Sequence, residues 1–105
     1  MLMGKTAFNY NKGDVLNFKL VSGEEIIARL DEDRTNEYIL IKPMALINTP
    51  QGGLGMMPNP IAANHGDPVM LNKHAIAFHC KCEQSLASQY MEKTTGIAMP
   101  TKGLI

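Results

Sequence analysis

The chain has 105 residues, 45% apolar and 19% charged, with ten basic side chains balanced by ten acidic ones, six aromatics and no tryptophan. One folded domain fills that length. The zero net charge excludes the surplus of lysine and arginine that non-specific nucleic-acid and membrane-surface binders use, so any anion site must be local. A domain this small buries only roughly 65% of the surface its unfolded chain exposes, and oligomerisation is expected to supplement its modest core.

Residues 1–13 are rich in Asn, Lys and Gly and read as an arm ahead of the fold. They hold no apolar run of signal-peptide length, and nothing in the sequence approaches the ~20 apolar residues of a membrane span, so a cytoplasmic protein is expected. Residues 14–21 alternate, with Leu16, Phe18 and Leu20 on one face and Asn17 and Lys19 on the other. That period of two marks a half-buried strand. Ser22-Gly23 turns the chain, and 24–31 alternates again with Ile26, Ala28 and Leu30 inward and Ile27 as the exception. The two segments predict a hairpin followed by a polar loop over 31–37.

Residues 38–47 are apolar on both parities, with Tyr38, Leu40, Met44 and Leu46 on one side and Ile39, Ile41, Ala45 and Ile47 on the other. Such a strand is covered on both faces. Thr49-Pro50-Gln51-Gly52-Gly53 is dense in turn residues, and 54–57 is placed to return antiparallel. Pro58, Pro60, Asn64, Gly66 and Pro68 then break regular structure over a long loop at 57–68. Two short strands follow at 69–71 and 75–82, the second presenting Ile76, Phe78, Cys80 and Cys82 on one face. At the end the period becomes helical: Leu86, Ala87, Tyr90 and Met91 form one stripe and Gly96 stops it, predicting a helix over 84–95 and a short tail. The expected fold is mainly β: a small, strongly bent five-stranded antiparallel barrel (14–82) with one C-terminal helix (83–105 with the tail).

Enzyme signatures are absent: there is no Gly-x-Ser-x-Gly, no phosphate loop and no His-Glu-x-x-His. Gly53-Leu54-Gly55 runs into Met56-Met57-Pro58, which opposes the helix a dinucleotide fingerprint needs. The protein is expected not to be an enzyme and to need no cofactor. Asp31, Glu32 and Asp33 read as a solvated turn rather than an acid–base pair or cation site. His79-Cys80-Lys81-Cys82 invites a metal, but alternation sends His79 to the face opposite the cysteines. Buried, reduced thiols account for Cys80 and Cys82 better, since bridging an i, i+2 pair strains an extended backbone.

The order of segments carries more than any single residue. The run Val15-Leu16-Asn17-Phe18-Lys19-Leu20-Val21-Ser22-Gly23-Glu24-Glu25-Ile26-Ile27-Ala28-Arg29-Leu30, then a polar loop, then Asn36-Glu37-Tyr38-Ile39-Leu40-Ile41-Lys42, resembles the first motif of the Sm-like proteins. Lys73-His74-Ala75-Ile76, placed before the last strand, is similar to the Lys-His-Ala-Ile of their bacterial Hfq branch. Together the two stretches cover about half the chain.

The resemblance implies a bent barrel whose copies close into a homo-oligomeric ring of five to seven subunits, the fourth strand of one pairing with the fifth of the next. It implies binding of single-stranded, uridine-rich RNA, with Lys73 and His74 lining the pore, Tyr38 stacking on a base and Asn36 near the position that reads uracil. An unguarded apolar last strand such as 75–79 agrees, since an open sheet edge invites a partner. The alternative is a structural or scaffolding homo-oligomer without nucleic-acid binding, favoured by the zero net charge and by Glu37, whose carboxylate repels phosphate.

Overall fold

The alternation after the arm is realised as a hairpin: β1 (Val15–Leu20) pairs antiparallel with β2 (Glu25–Asp33). Gly23 closes the turn at a φ of 103°, a left-handed value that costs glycine nothing, and donates to the Leu20 carbonyl at 2.9 Å. The computed structural model describes residues 9–60, 64 and 66–96, which continue through β3 (Glu37–Asn48), β4 (Leu54–Pro58), β5 (Val69–Asn72), a single 3-10 turn (Lys73–Ala75), β6 (Ile76–Lys81) and the helix α1 (Gln84–Thr95). Residues 1–8 of the arm, 61–63 and 65 of the long loop, and the tail at 97–105 lie outside the described residues.

The sheet is antiparallel and runs β4–β3–β2–β1–β6, with β5 also on β3. Six strands are present where five were expected. The reason is that β4 and β5 lie end to end along one edge of β3: Leu54–Pro58 pairs with Met44–Asn48, and Val69–Asn72 pairs with Glu37–Leu40. The sheet is therefore five strands wide. Among the described residues no pairing joins β6 to β4 or β5, so the sheet is not closed.

Two clusters of buried side chains cover the two faces. Leu16, Phe18, Ile26, Ala28, Leu30, Tyr38 and Leu40 fill one, with Tyr10 of the arm packed against it. Ile27, Met44 and Tyr90 fill the other, flanked by Leu86 and Met91 of α1. Ile27, the exception to the alternation, is thus a core residue of the helix-covered face. The helix occupies the span its stripe predicts and buries that stripe.

The faces of β3 differ from simple alternation. Tyr38 and Leu40 face the first cluster, but beyond Lys42 that cluster takes Ala45 while Met44 and Leu46 face the helix. The pairing explains the switch: between Ile27↔Met44 and Arg29↔Ile41, β3 advances by three residues while β2 advances by two. One extra residue reverses the parity of everything beyond it. Lys42 absorbs the bulge at a φ of 49°, a left-handed value unusual for a residue with a Cβ. A second bulge lies on β2, where Leu30↔Leu40 is followed by Glu32↔Ile39. Likewise the shift between Lys19 and Leu20 in the β1–β6 pairing packs Ile76 on the first cluster and leaves Phe78 64% exposed, so the two do not share a face.

Tyr90 secures the β3 bulge. Its hydroxyl accepts from the Arg29 amide at 3.2 Å and aims its proton between the Ile41 and Lys42 carbonyls, each 2.8 Å away. Lys42 replies by donating from Nζ to the Thr94 carbonyl in the last turn of α1, at 2.9 Å. Replacing Tyr90 by Phe removes the hydroxyl's contacts with three backbone groups beneath the helix, and a loss of about 1–3 kcal/mol in unfolding free energy is expected. Urea denaturation checks this, with an unchanged slope indicating that compactness is retained.

At the other end of α1, the Glu83 carboxylate accepts from Ser85 N at 3.0 Å and Leu86 N at 3.1 Å. The Ser85 amide, then the Ser85 hydroxyl and the Leu86 amide, hold its pKa below the ordinary carboxylate value. A lowered folded pKa stabilises the fold above the unfolded value and is lost as pH falls through the folded one. Thermal melts should show Glu83→Ala less stable than wild type at neutral pH, with the difference closing in acid.

Candidate functional site

Two turns meet at the start of β3. The turn between β2 and β3 is only three residues long, Arg34 to Asn36, because β2 runs on to Asp33, into the span expected to be a polar loop. The 3-10 turn Lys73–Ala75 comes alongside through the pairing Glu37↔Asn72, and the Lys73 amide donates to the Asn36 carbonyl at 2.9 Å. Asn72 caps the 3-10 turn, its Oδ1 accepting from His74 N at 2.9 Å. The four residues singled out from sequence, Asn36, Tyr38, Lys73 and His74, therefore converge at one end of the sheet although 35 positions separate Tyr38 from Lys73. Asn36 and His74 are exposed there.

Tyr38 occupies a different position from the one base stacking requires. It is 5% exposed, with the Phe18 ring 5.4 Å away on centroids and His79 6.0 Å away edge-on. The Lys73 ammonium sits over the ring, 4.5 Å from its centroid. The tyrosine is part of the core, because its pairing with Leu71 on β5 and Asp33 on β2 points it inward with Phe18 and Leu40. Burial raises its pKa, the Asp33 charge adds to that and Lys73 opposes it.

Sequence reasoning missed three members of this cluster. The first is Asp33, whose Oδ1 meets Lys73 Nζ at 2.6 Å. Read as a solvated turn, it is instead the last residue of β2. The bulge after Leu30 puts Asp33, and not Glu32, opposite Tyr38 and within reach of the lysine. Glu32 turns to Arg34, which also approaches Glu37 at 4.0 Å, and Asp31 pairs with Lys12. Tyr10 and His79 complete the cluster: the Tyr10 hydroxyl lies 2.7 Å from His79 Nδ1 and the rings meet edge-on. Burial, assisted by Tyr38 and Cys80, pushes the Tyr10 pKa up to about 12. The alternation did place His79 on the face away from the cysteines, but its partner in the arm lacked any periodic signal.

The local charge is mixed: Glu32, Asp33 and Glu37 stand beside Lys73 and Arg34. Among the described residues no three His, Cys, Asp or Glu side chains are grouped to hold a metal ion, and no helix is long and apolar enough to cross a membrane. Both cysteines are free thiols; burial, then the charges of Glu83 and Cys80, push Cys82 up to about 11, while Cys80 is exposed. No protein-family model and no curated protein matches this sequence. The site is therefore read from its geometry.

Because Tyr38 is a core residue, Tyr38→Ala should lower unfolding free energy by about 3–5 kcal/mol, as for other large buried aromatics. Chemical denaturation measures this directly. A change below about 1 kcal/mol would instead mark an available ring.

Proposed function

We propose that this chain is a subunit of an Sm-like ring, five to seven copies closing edge to edge, that contacts single-stranded, uridine-rich RNA through Lys73 and His74 around its pore. One observation carries the reading: among the described residues no pairing closes the five-strand-wide sheet by joining β6 to β4 or β5, and each margin carries exposed apolar side chains. Phe78 stands on β6 at one side, and Leu54 and Met57 on β4 and Met70 on β5 at the other. Unpaired backbone edges flanked by apolar groups are satisfied by pairing with a second copy, and a repeated head-to-tail contact closes into a ring. Asn36, Lys73 and His74 share one end of each subunit, so rotation about a ring axis repeats them as a circle. With no net charge per chain, RNA affinity in this scheme comes from that repetition. A soluble, cytoplasmic setting accompanies it.

A scaffolding ring without RNA is the second reading. It is favoured by the buried Tyr38 ring and by the pairing of Lys73 with Asp33.

Light scattering on the purified protein, with and without oligouridine at about 50 mM salt, addresses both readings. A mass of five to seven chains that rises with oligouridine is expected. Phe78→Glu, placing a carboxylate on the β6 margin, should release monomers. A wild-type monomer at micromolar concentration overturns the ring, and an oligomer indifferent to oligouridine leaves the scaffolding reading.

A further inference from the structure

We infer that Asp33 is an internal competitor for the anion that Lys73 binds, so that an RNA phosphate enters by displacing this carboxylate; the inference rests on the RNA reading of the same site. The geometry is that of an occupied anion site. Lys73 Nζ has the Tyr38 ring beneath it at 4.5 Å and one carboxylate oxygen of Asp33 beside it at 2.6 Å. An oxygen of a phosphodiester presents the same charge and hydrogen-bonding character at that place.

The lysine is held independently of the aspartate. Its amide donates to the Asn36 carbonyl, the following residue is fixed by the Asn72 side chain, and the aromatic face lies under its ammonium. Removing Asp33 leaves the cation in position with its charge uncovered. The aspartate, in contrast, is the last residue of β2, and no other cation is paired with it among the described residues, since Arg34 turns to Glu32 and Glu37.

Exposure decides between a latch and a permanent plug. The side chains of Lys73 and Asp33 are 30% and 49% accessible. A pair so open to solvent is screened by salt and contributes little net stability, so it exchanges. A lone anion gains little by such an exchange. A polyanion bound at several subunits at once replaces all the carboxylates together, its phosphates held at high effective concentration. The pair therefore selects for extended polyanions over single phosphates, and it gives the subunit a lysine whose charge is covered until such a ligand arrives.

Fluorescence anisotropy of a labelled oligouridine with the protein tests this, comparing wild type, Asp33→Asn, Glu32→Gln, Lys73→Ala and the double variant Asp33→Asn with Lys73→Ala. Glu32→Gln removes the same charge from the preceding residue, which pairs with Arg34 instead of Lys73, and so measures the general field. Asp33→Asn should tighten binding about tenfold and steepen the logarithmic salt dependence by about 0.7 for each phosphate gained. Glu32→Gln should change affinity less than about twofold, and the double variant should match Lys73→Ala alone. Binding by Asp33→Asn where the wild type shows none also supports the latch. If the wild type binds and Asp33→Asn matches either it or Glu32→Gln, the latch is overturned and the RNA reading stands. If neither binds, both fall. Circular dichroism and elution volume verify folding, and Asp33→Ser supplies a second uncharged side chain should the asparagine variant misfold.

Discussion

The architecture depends on one hydroxyl group. Where β3 takes its extra residue, the register between β2 and β3 shifts by one, and the Arg29 amide and the Ile41 and Lys42 carbonyls converge on one point beneath the helix. Backbone groups packed there are costly to leave short of a partner. The Tyr90 hydroxyl meets all three from the helix. Because this tyrosine is fully buried and the lysine at the bulge reaches back to the helix end, helix docking and strand bending are a single event. The bend, in turn, lets one strand serve two clusters, giving its first half to the face with Phe18 and part of its second half to the face under the helix.

The same bending logic shapes the end of the sheet where the candidate residues gather. A second bulge, on β2, decides which acidic residue faces the lysine. Of three consecutive carboxylates, Asp31, Glu32 and Asp33, each finds a different cation. An uninterrupted strand would have presented Glu32 to the interior side instead. The charge state of the site is thus a product of strand irregularity as much as of composition.

What could be read in advance follows from how far each signal reaches along the chain. Hairpin alternation and the helical stripe are local, so β1, β2 and α1 were legible, the helix to its bounds because Gly96 takes the left-handed conformation at its end, at a φ of 77°. The convergence of Asn36, Tyr38, Lys73 and His74 was legible only through the order of two motifs. Bulges were not legible, since nothing in Ile41-Lys42-Pro43 announces a left-handed lysine, and the parity beyond it was misassigned. The Asp33–Lys73 and Tyr10–His79 partnerships join residues 40 and 69 positions apart. Such contacts are set by tertiary pairing, for which a single sequence carries no periodic trace. Tyr38 illustrates the converse: an aromatic at a strand start has the same sequence appearance whether it faces a ligand or the core.

The tandem seating of β4 and β5 on β3 has an evolutionary corollary. Pro58 is opposite Met44 and Val69 is opposite Leu40, so residues 59–68 leave and rejoin the same edge across at most roughly 13 Å of strand. The segment is a detour whose two anchors are held by β3 whatever lies between them. Closure entropy grows only logarithmically with added length, so insertions here cost little. Sequence change can accordingly alter the length of the segment at that point while the rest of the sheet keeps its register.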